Sequence, residues 1–145
     1  MFTDEYFIRE ALKEAHKASD NDEVPIGAVI VAGNRVIARA HNLTETLNDV
    51  TAHAEMQAIT AAAAYLGGKY LKDCTLYVTL EPCLMCAVAL YWAQITRIVY
   101  GASDSKRGFS LNPVSPLHPA TMVTSGILET ECAALLTDFF KKKRK

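Results

Sequence analysis

Two short segments constrain this chain more than anything else in it: Thr51-Ala52-His53-Ala54-Glu55 and Glu81-Pro82-Cys83-Leu84-Met85-Cys86. A Cys-x-x-Cys pair alone is compatible with a redox motif, a pair of zinc ligands or two core thiols. An upstream His raises the count to three soft or borderline ligands, which suits a zinc ion with one position left open. Structural zinc sites are closed by four protein ligands, whereas catalytic ones keep three and leave the fourth place to water. No further Cys or His adjoins either segment, so the count favours the catalytic type. Pro82 reads as the start of a helix, where its missing N–H costs nothing. Cys83 and Cys86 then share one face of the first turn, and the helix N-terminus favours the thiolate at both. Glu55 follows His53 by two positions, and side chains so spaced diverge on a helix. The pattern therefore sets beside the His ligand a carboxylate that is not a ligand and can carry protons.

The 145 residues suit one domain spanning 1–145, long enough to bury a core. Half of the residues are apolar, but no run is long enough to cross a membrane. Met1-Phe2-Thr3-Asp4-Glu5 is acidic and lacks the pattern of a secretory signal. Four cysteines do not make a disulfide scaffold in such a chain, and two are assigned to metal, so a reducing, cytoplasmic compartment is expected. A net charge of −1 argues against a dedicated nucleic-acid binder, yet the charge is unevenly placed. The basic tail Lys141 to Lys145 holds five of fifteen Lys and Arg residues, which leaves the body at −6. That asymmetry hints at a polyanionic partner, with a solvated tail as the plainer reading.

Along the chain, Phe7, Ile8, Ala11, Leu12, Ala15 and Ala18 recur at helical spacing over Asp4 to Ser19, with Thr3 as N-cap. His16 lies off that stripe as a solvated side chain. Ile26 to Ala32 reads as a strand covered on both faces, and Gly33-Asn34 turns it into a returning strand over Arg35 to Ala40. Gly27 weakens a strand unless something needs the space, either a planar base against the backbone or, more usually, a bulge. Asn42 reads as a strand-ending turn residue. Thr51 reads as the cap of an Ala-rich helix running from Ala52 to about Leu66, stopped by Gly67-Gly68. Strands follow over Cys74 to Leu80 and Thr96 to Tyr100, flanking a helix from Cys83 to about Ala93. Trp92 reads as a core anchor or part of a subunit contact. Gly101 to Ala120 is a long loop, of the kind that is functional or mobile. Thr121 to Thr124 is a short strand, and Cys132, Leu135, Leu136, Phe139 and Phe140 mark a last helix from Glu129. Cys74 and Cys132 belong to the core. Phe139 and Phe140 are adjacent, so only one occupies the centre of the stripe.

The pattern H-x-E…P-C-x-x-C is the signature of zinc-dependent nucleobase deaminases. The blocks Val24-Pro25-Ile26-Gly27-Ala28-Val29, Ala38 to Asn42, Leu76 to Cys86, Val99 to Ala102 and Gly126-Ile127-Leu128 narrow the resemblance. Together they resemble the TadA-type tRNA adenosine deaminases across most of the chain. The resemblance implies an α/β fold, a cytidine-deaminase-like α/β/α sandwich with a five-stranded mixed sheet covered by helices. It implies one Zn²⁺ per subunit on His53, Cys83 and Cys86, with Glu55 moving protons. Asn42, Ala54, Pro25, Ile26 and Gly27 would contact the nucleoside, with the N–H of Cys83 also near the developing oxygen. Asp104, Lys106, Phe139, Phe140, Lys141 and Lys142 are the RNA-contact candidates. The implied substrate is the wobble adenosine of a tRNA anticodon stem-loop, converted to inosine by a cytoplasmic homodimer with no membrane partner. Val50 departs from the proline usual in relatives, and the 101–120 segment is shorter than in some of them.

Two other readings stay open at this level. Cys86 to Ala93 also resembles the guanine deaminases of the same fold, which act on a free base. A non-catalytic, zinc-stabilised RNA-binding module is the remaining alternative, although it has no use for Glu55 and gains from a fourth ligand.

Overall fold

The computed structural model describes residues 1–144. Lys145, the last residue of the basic tail, lies outside the described residues. α1 spans Asp4–Asp20 and starts where Thr3 accepts a hydrogen bond from the Tyr6 amide. β1, Gly27–Ala32, turns through Gly33 and Asn34 into β2, Arg35–His41. Both turn residues have positive φ, 56° and 62°, as a two-residue hairpin requires. α2 is Ala54–Leu66, β3 Cys74–Leu80, α3 Leu84–Ala93, β4 Arg97–Ala102, β5 Met122–Thr124 and α4 Glu129–Lys143.

The sheet runs β2-β1-β3-β4-β5. β1 pairs antiparallel with β2 and β3, while β3–β4 and β4–β5 are parallel, so the expected mixed five-stranded sheet is present. Strand alternation sorts its side chains into two layers. Ala28, Ile30, Leu76, Val78 and Ile98 pack with Ala54, Ala58 and Ala62 of α2 and Ala87 and Leu90 of α3. Val29, Val31, Tyr77 and Val99 pack on the other face with Phe7, Ile8 and Leu12 of α1 and Cys132 of α4. Small Ala side chains on α2 let that helix lie close to the sheet, which fixes where its N-terminus falls.

Local details depart from the sequence reading. α2 begins at Ala54 with His53 as its cap, because Thr51 is engaged elsewhere. Its amide and hydroxyl both donate to Asp49 Oδ1, at 2.8 and 2.7 Å. α3 begins one residue later than expected, with Cys83 as cap and Pro82 just outside the helix. Phe109–Leu111 forms a short 3₁₀ turn inside the long loop. Trp92 is 71 % exposed, which removes the core-anchor reading. Cys74 and Cys132 are buried and His16 is exposed, as expected.

Gly27 has a different cause from either one anticipated. It faces α1, where a Cβ would collide with the Ala11 carbonyl oxygen and the Ala15 amide nitrogen. The register irregularity of β1 lies instead between Ile30 and Val31. Gly27 therefore lets a helix backbone rest directly on a strand. Gly27→Ala is expected to push α1 off the sheet and to destabilise the fold by about 3 kcal/mol, read from urea unfolding midpoints.

Candidate metal centre and the cavity around it

α2 and α3 start close together at one end of the sheet, and each cap residue is a candidate ligand. His53 Nδ1 lies 3.6 Å from Cys83 Sγ and 3.5 Å from Cys86 Sγ. The three donor atoms all fall within 4.8 Å of one another. Tetrahedral zinc with Zn–S of about 2.3 Å and Zn–N of about 2.0–2.1 Å needs N···S separations of about 3.6 Å. The donor set and its spacing both fit zinc.

The two thiols differ. A hydrogen bond from Cys86, opposed by burial and reinforced by His53, brings Cys83 down to about 4. Cys86 moves the other way, pushed up by its bond to Cys83, by burial and by the charge of Glu55. With no cation between them, Cys83 is the thiol that ionises first. Two adjacent anions, one of them buried, need a cation between them before the second proton leaves. Hydrogen bonding to Cys83 raises His53 against the effect of burial.

Glu55 stands in the first turn of α2 and is 4 % exposed. Burial, together with the Cys83 charge, pushes its carboxyl up to about 7, even though its own backbone N–H and His53 favour the anion. It is not among the three clustered donors. A carboxyl at that value both takes and gives a proton near neutral pH.

His53, Glu55 and Cys83 open into a cavity of about 920 Å³. Asn42, buried at the end of β2, lines it and accepts a hydrogen bond from the Thr44 amide at 3.4 Å. Ile26 and Ala54 line it as well, but Pro25 and Gly27 do not. In extended backbone, alternate residues face opposite sides, so Val24 and Ile26 face the cavity while Gly27 faces α1. Val24 was not singled out from the sequence, although this period of two was there to be read.

The far wall comes from the long loop and α4. Asp104 and Lys106 line it, as does Arg107. Asp104 Oδ1 accepts from the amides of Lys106 and Arg107, both at 3.0 Å, and so closes its own turn. The aromatic pair separates: Phe139 is buried, whereas Phe140 lines the cavity. From the basic end of α4 the lining residues are Lys143 and Arg144, not Lys141 and Lys142. Helical spacing from Phe140 selects those two positions at i+3 and i+4.

The model of the cytidine and deoxycytidylate deaminase zinc-binding region matches residues 1–102. The tRNA-specific adenosine deaminase of Bacillus subtilis (strain 168) is 48 % identical over 151 residues, covering 100 % of this chain and 93 % of its own. The chain belongs to the tRNA-specific adenosine deaminase family. A solved structure from a study of A-to-I editing by tRNA:A34 deaminases at the wobble position has a TM-score of 0.83 and 49 % identity. It covers 90 % of this chain and 99 % of its own, so the fold of this deaminase is cytidine-deaminase-like. The guanine deaminase of Bacillus subtilis is a shorter match, at a TM-score of 0.68 and 40 % identity, covering 70 % of this chain and 66 % of its own.

One more buried carboxylate of the deaminase shapes the cavity without touching the metal donors. Glu23 is fully buried and accepts from Glu45 N at 3.1 Å, Thr46 N at 2.6 Å and Thr46 Oγ1 at 2.7 Å. These bonds pin the loop that carries Thr44, a cavity residue. Burial raises its pKa, but the bonds from Thr46 and Glu45 outweigh it and hold the carboxyl below its ordinary 4.5. The stabilisation is thus complete above the unfolded pKa and is lost as pH falls through the lower folded one. The stability gap between wild type and Glu23→Gln is expected to be widest at neutral pH. It should narrow on acidification below the ordinary carboxylate range, as read from urea unfolding across a pH series.

Proposed function

We propose that this protein hydrolyses adenosine to inosine at the wobble position of a tRNA anticodon, as one catalytic domain over residues 1–145. The reading rests on one arrangement: three metal donors beside a buried, non-ligating Glu55, in a cavity lined by cations and Phe140. Near-full-length similarity to tRNA-specific adenosine deaminases supports the same substrate.

His53, Cys83 and Cys86 would hold one Zn²⁺ per subunit, which supplies a water acidified toward neutral pH. Glu55 accepts a proton from the attacking water and passes it to the purine N1. It then carries the second proton to the amino group at C6, which departs as ammonia and leaves inosine. Burial is what lets one carboxyl serve in both directions at pH 7. Asn42 reads the purine from the cavity side, and Ala54 packs beside it at the head of α2. The adenosine must leave the stack to reach this depth, so it enters splayed from the loop. Lys106, Arg107, Lys143 and Arg144 face the phosphates around it, and Phe140 offers a stacking surface.

The reading includes a homodimer. Leu84, Val88, Tyr91 and Trp92 line one side of α3 and all are exposed large apolar residues. Their spacing makes one stripe pointing away from the core, and a second copy of the chain is the proposed partner there. The proposed location is the cytoplasm, where tRNA is found and the metal-site thiols stay reduced. No helix among the described residues is long and apolar enough to cross a membrane.

The test is an assay of the zinc-loaded protein on an anticodon stem-loop with wobble adenosine, beside free guanine. Inosine in the RNA with guanine untouched is the expected result, whereas xanthine with intact RNA moves the activity to free bases. Glu55→Ala is expected to keep its zinc and its unfolding midpoint while turnover drops by about 10²–10⁴-fold or more. Retained activity in that variant would leave no role for Glu55, whereas RNA binding by the wild type with no turnover on either substrate would revive the binding-module alternative. Trp92→Glu is expected to shift sedimentation from dimer to monomer at micromolar concentration.

A further inference from the structure

Glu81 follows the end of β3 and precedes Pro82 and Cys83, and it is 2 % exposed. A carboxylate at that depth is unfavourable unless its oxygens are hydrogen-bonded. Both are: Oε1 accepts from Asp104 N at 3.0 Å and Oε2 from Ser110 N at 2.9 Å. The two donors flank the segment that forms the far wall of the cavity. Gly108 lies between them, and a Cβ there would collide with the Glu81 carboxylate itself. Space for the carboxylate exists because residue 108 has no side chain.

We infer that Glu81 is a positioning residue for the reaction: its carboxylate folds residues 104–110 into the wall that presents Lys106 and Arg107 to the RNA. The inference rests on the proposed RNA substrate. Asp104, one of the two residues held by Glu81, accepts from Lys106 N and Arg107 N through Oδ1. Its carbonyl also accepts from Gly108 N at 3.1 Å. The turn carrying both cations is therefore anchored through Asp104 to a single buried carboxylate. The other end is secured by Ser110 N on Glu81, with Phe109 N on the Pro82 carbonyl at 3.0 Å and Phe109 buried edge-on against Tyr100. Ser103 through Arg107 all line the cavity, as does Glu81. The three metal donors and Glu55 belong instead to the heads of α2 and α3, and among them Cys83 meets the loop through a backbone bridge to Gly108. Loosening the wall acts on substrate binding while leaving the chemistry in place.

Glu81→Gln replaces one acceptor oxygen with an amide NH₂ that opposes a backbone donor. Zinc-loaded wild type and variant are compared on the wobble-adenosine stem-loop, with zinc content and amide hydrogen exchange read on the same samples. We expect KM to rise about tenfold or more with kcat within about twofold, because a binding contribution common to ground and transition states is lost. Zinc content should be unchanged. Exchange protection should fall at the Asp104 and Ser110 amides and remain in β3. Gly108→Ala leaves residue 81 as Glu but displaces its carboxylate, so it should reproduce this pattern. Unchanged zinc content then shows that Cys83, bridged to residue 108, has stayed in place, and the variant decides the question if Glu81→Gln does not fold. An unchanged KM with wild-type protection at both amides overturns the inference, as does a fall in kcat accompanied by zinc loss. If wild type leaves the RNA unconverted, the proposed substrate fails. Exchange at Asp104 and Ser110 still decides whether Glu81 holds the loop.

Discussion

The meeting of two helix N-termini at one end of the sheet is the constraint on which this structure depends. The α2 and α3 starts carry unpaired backbone N–H groups and the positive ends of their dipoles. His53 and Cys83 occupy the two cap positions, with Cys86 one turn beyond Cys83. A cap residue has extended backbone and projects its side chain away from the helix wall, so two caps can face each other across a gap. Everything that sets the gap lies elsewhere: the Ala-lined packing of α2 and α3 on the sheet, and the parallel β3–α3–β4 unit that brings Cys83 to the sheet's end.

The buried carboxylates show how the same side chain is tuned by its donors. Glu23 and Glu55 are both withdrawn from water, yet their proton affinities move in opposite directions. Glu23 receives three bonds from Glu45 and Thr46, which keep it anionic and bind a loop. Glu55 has only its own backbone amide and the metal-site groups around it, so burial prevails and the group sits near 7. One arrangement makes a fixed structural anion and the other a proton carrier. Burial sets the size of the effect, and the count of donors sets its sign.

What could be read from the sequence was the chemistry carried by residue type and spacing. His53, Cys83 and Cys86 fall together because three soft ligands at those intervals have few other uses, and the strands follow from β-branched runs with periods of two. The less legible features depend on distant partners. Thr51 looks like a cap until Asp49 competes for it, and nothing local ranks the two. Gly27 reads as a weak strand residue because its reason, the backbone of α1, lies more than ten positions earlier in the chain. Glu81 reads as a mere neighbour of the Pro-Cys pair, since its donors, Asp104 and Ser110, are over twenty residues downstream. Phe140 and Phe139 are identical in type, and only the azimuth of α4 on the sheet decides which of them faces the cavity.

Charge placement completes the link from fold to substrate. The body is acidic, so a polyanion is repelled by most of the surface and is drawn only where cations gather. Lys106 and Arg107 on the loop, Lys143 at the end of α4 and its C-cap Arg144 gather at the cavity. Lys143 is also bonded to Asp22 at 2.5 Å, which ties the last turn of α4 to the α1–β1 connection. Part of the basic end is thus spent on holding the helix over the cavity, and Phe140, one turn earlier on the same face, is held with it. The cavity lining thus combines four cations from two segments with the aromatic ring of Phe140. The proposed substrate would meet these cations on its phosphates, with Glu55 and the three metal donors lining or adjoining the same cavity. Electrostatic attraction alone would gather RNA in many poses. On the proposed reading, fixed walls would make one of them productive, which gives the anchoring of loop and helix a part in the function beside the metal donors.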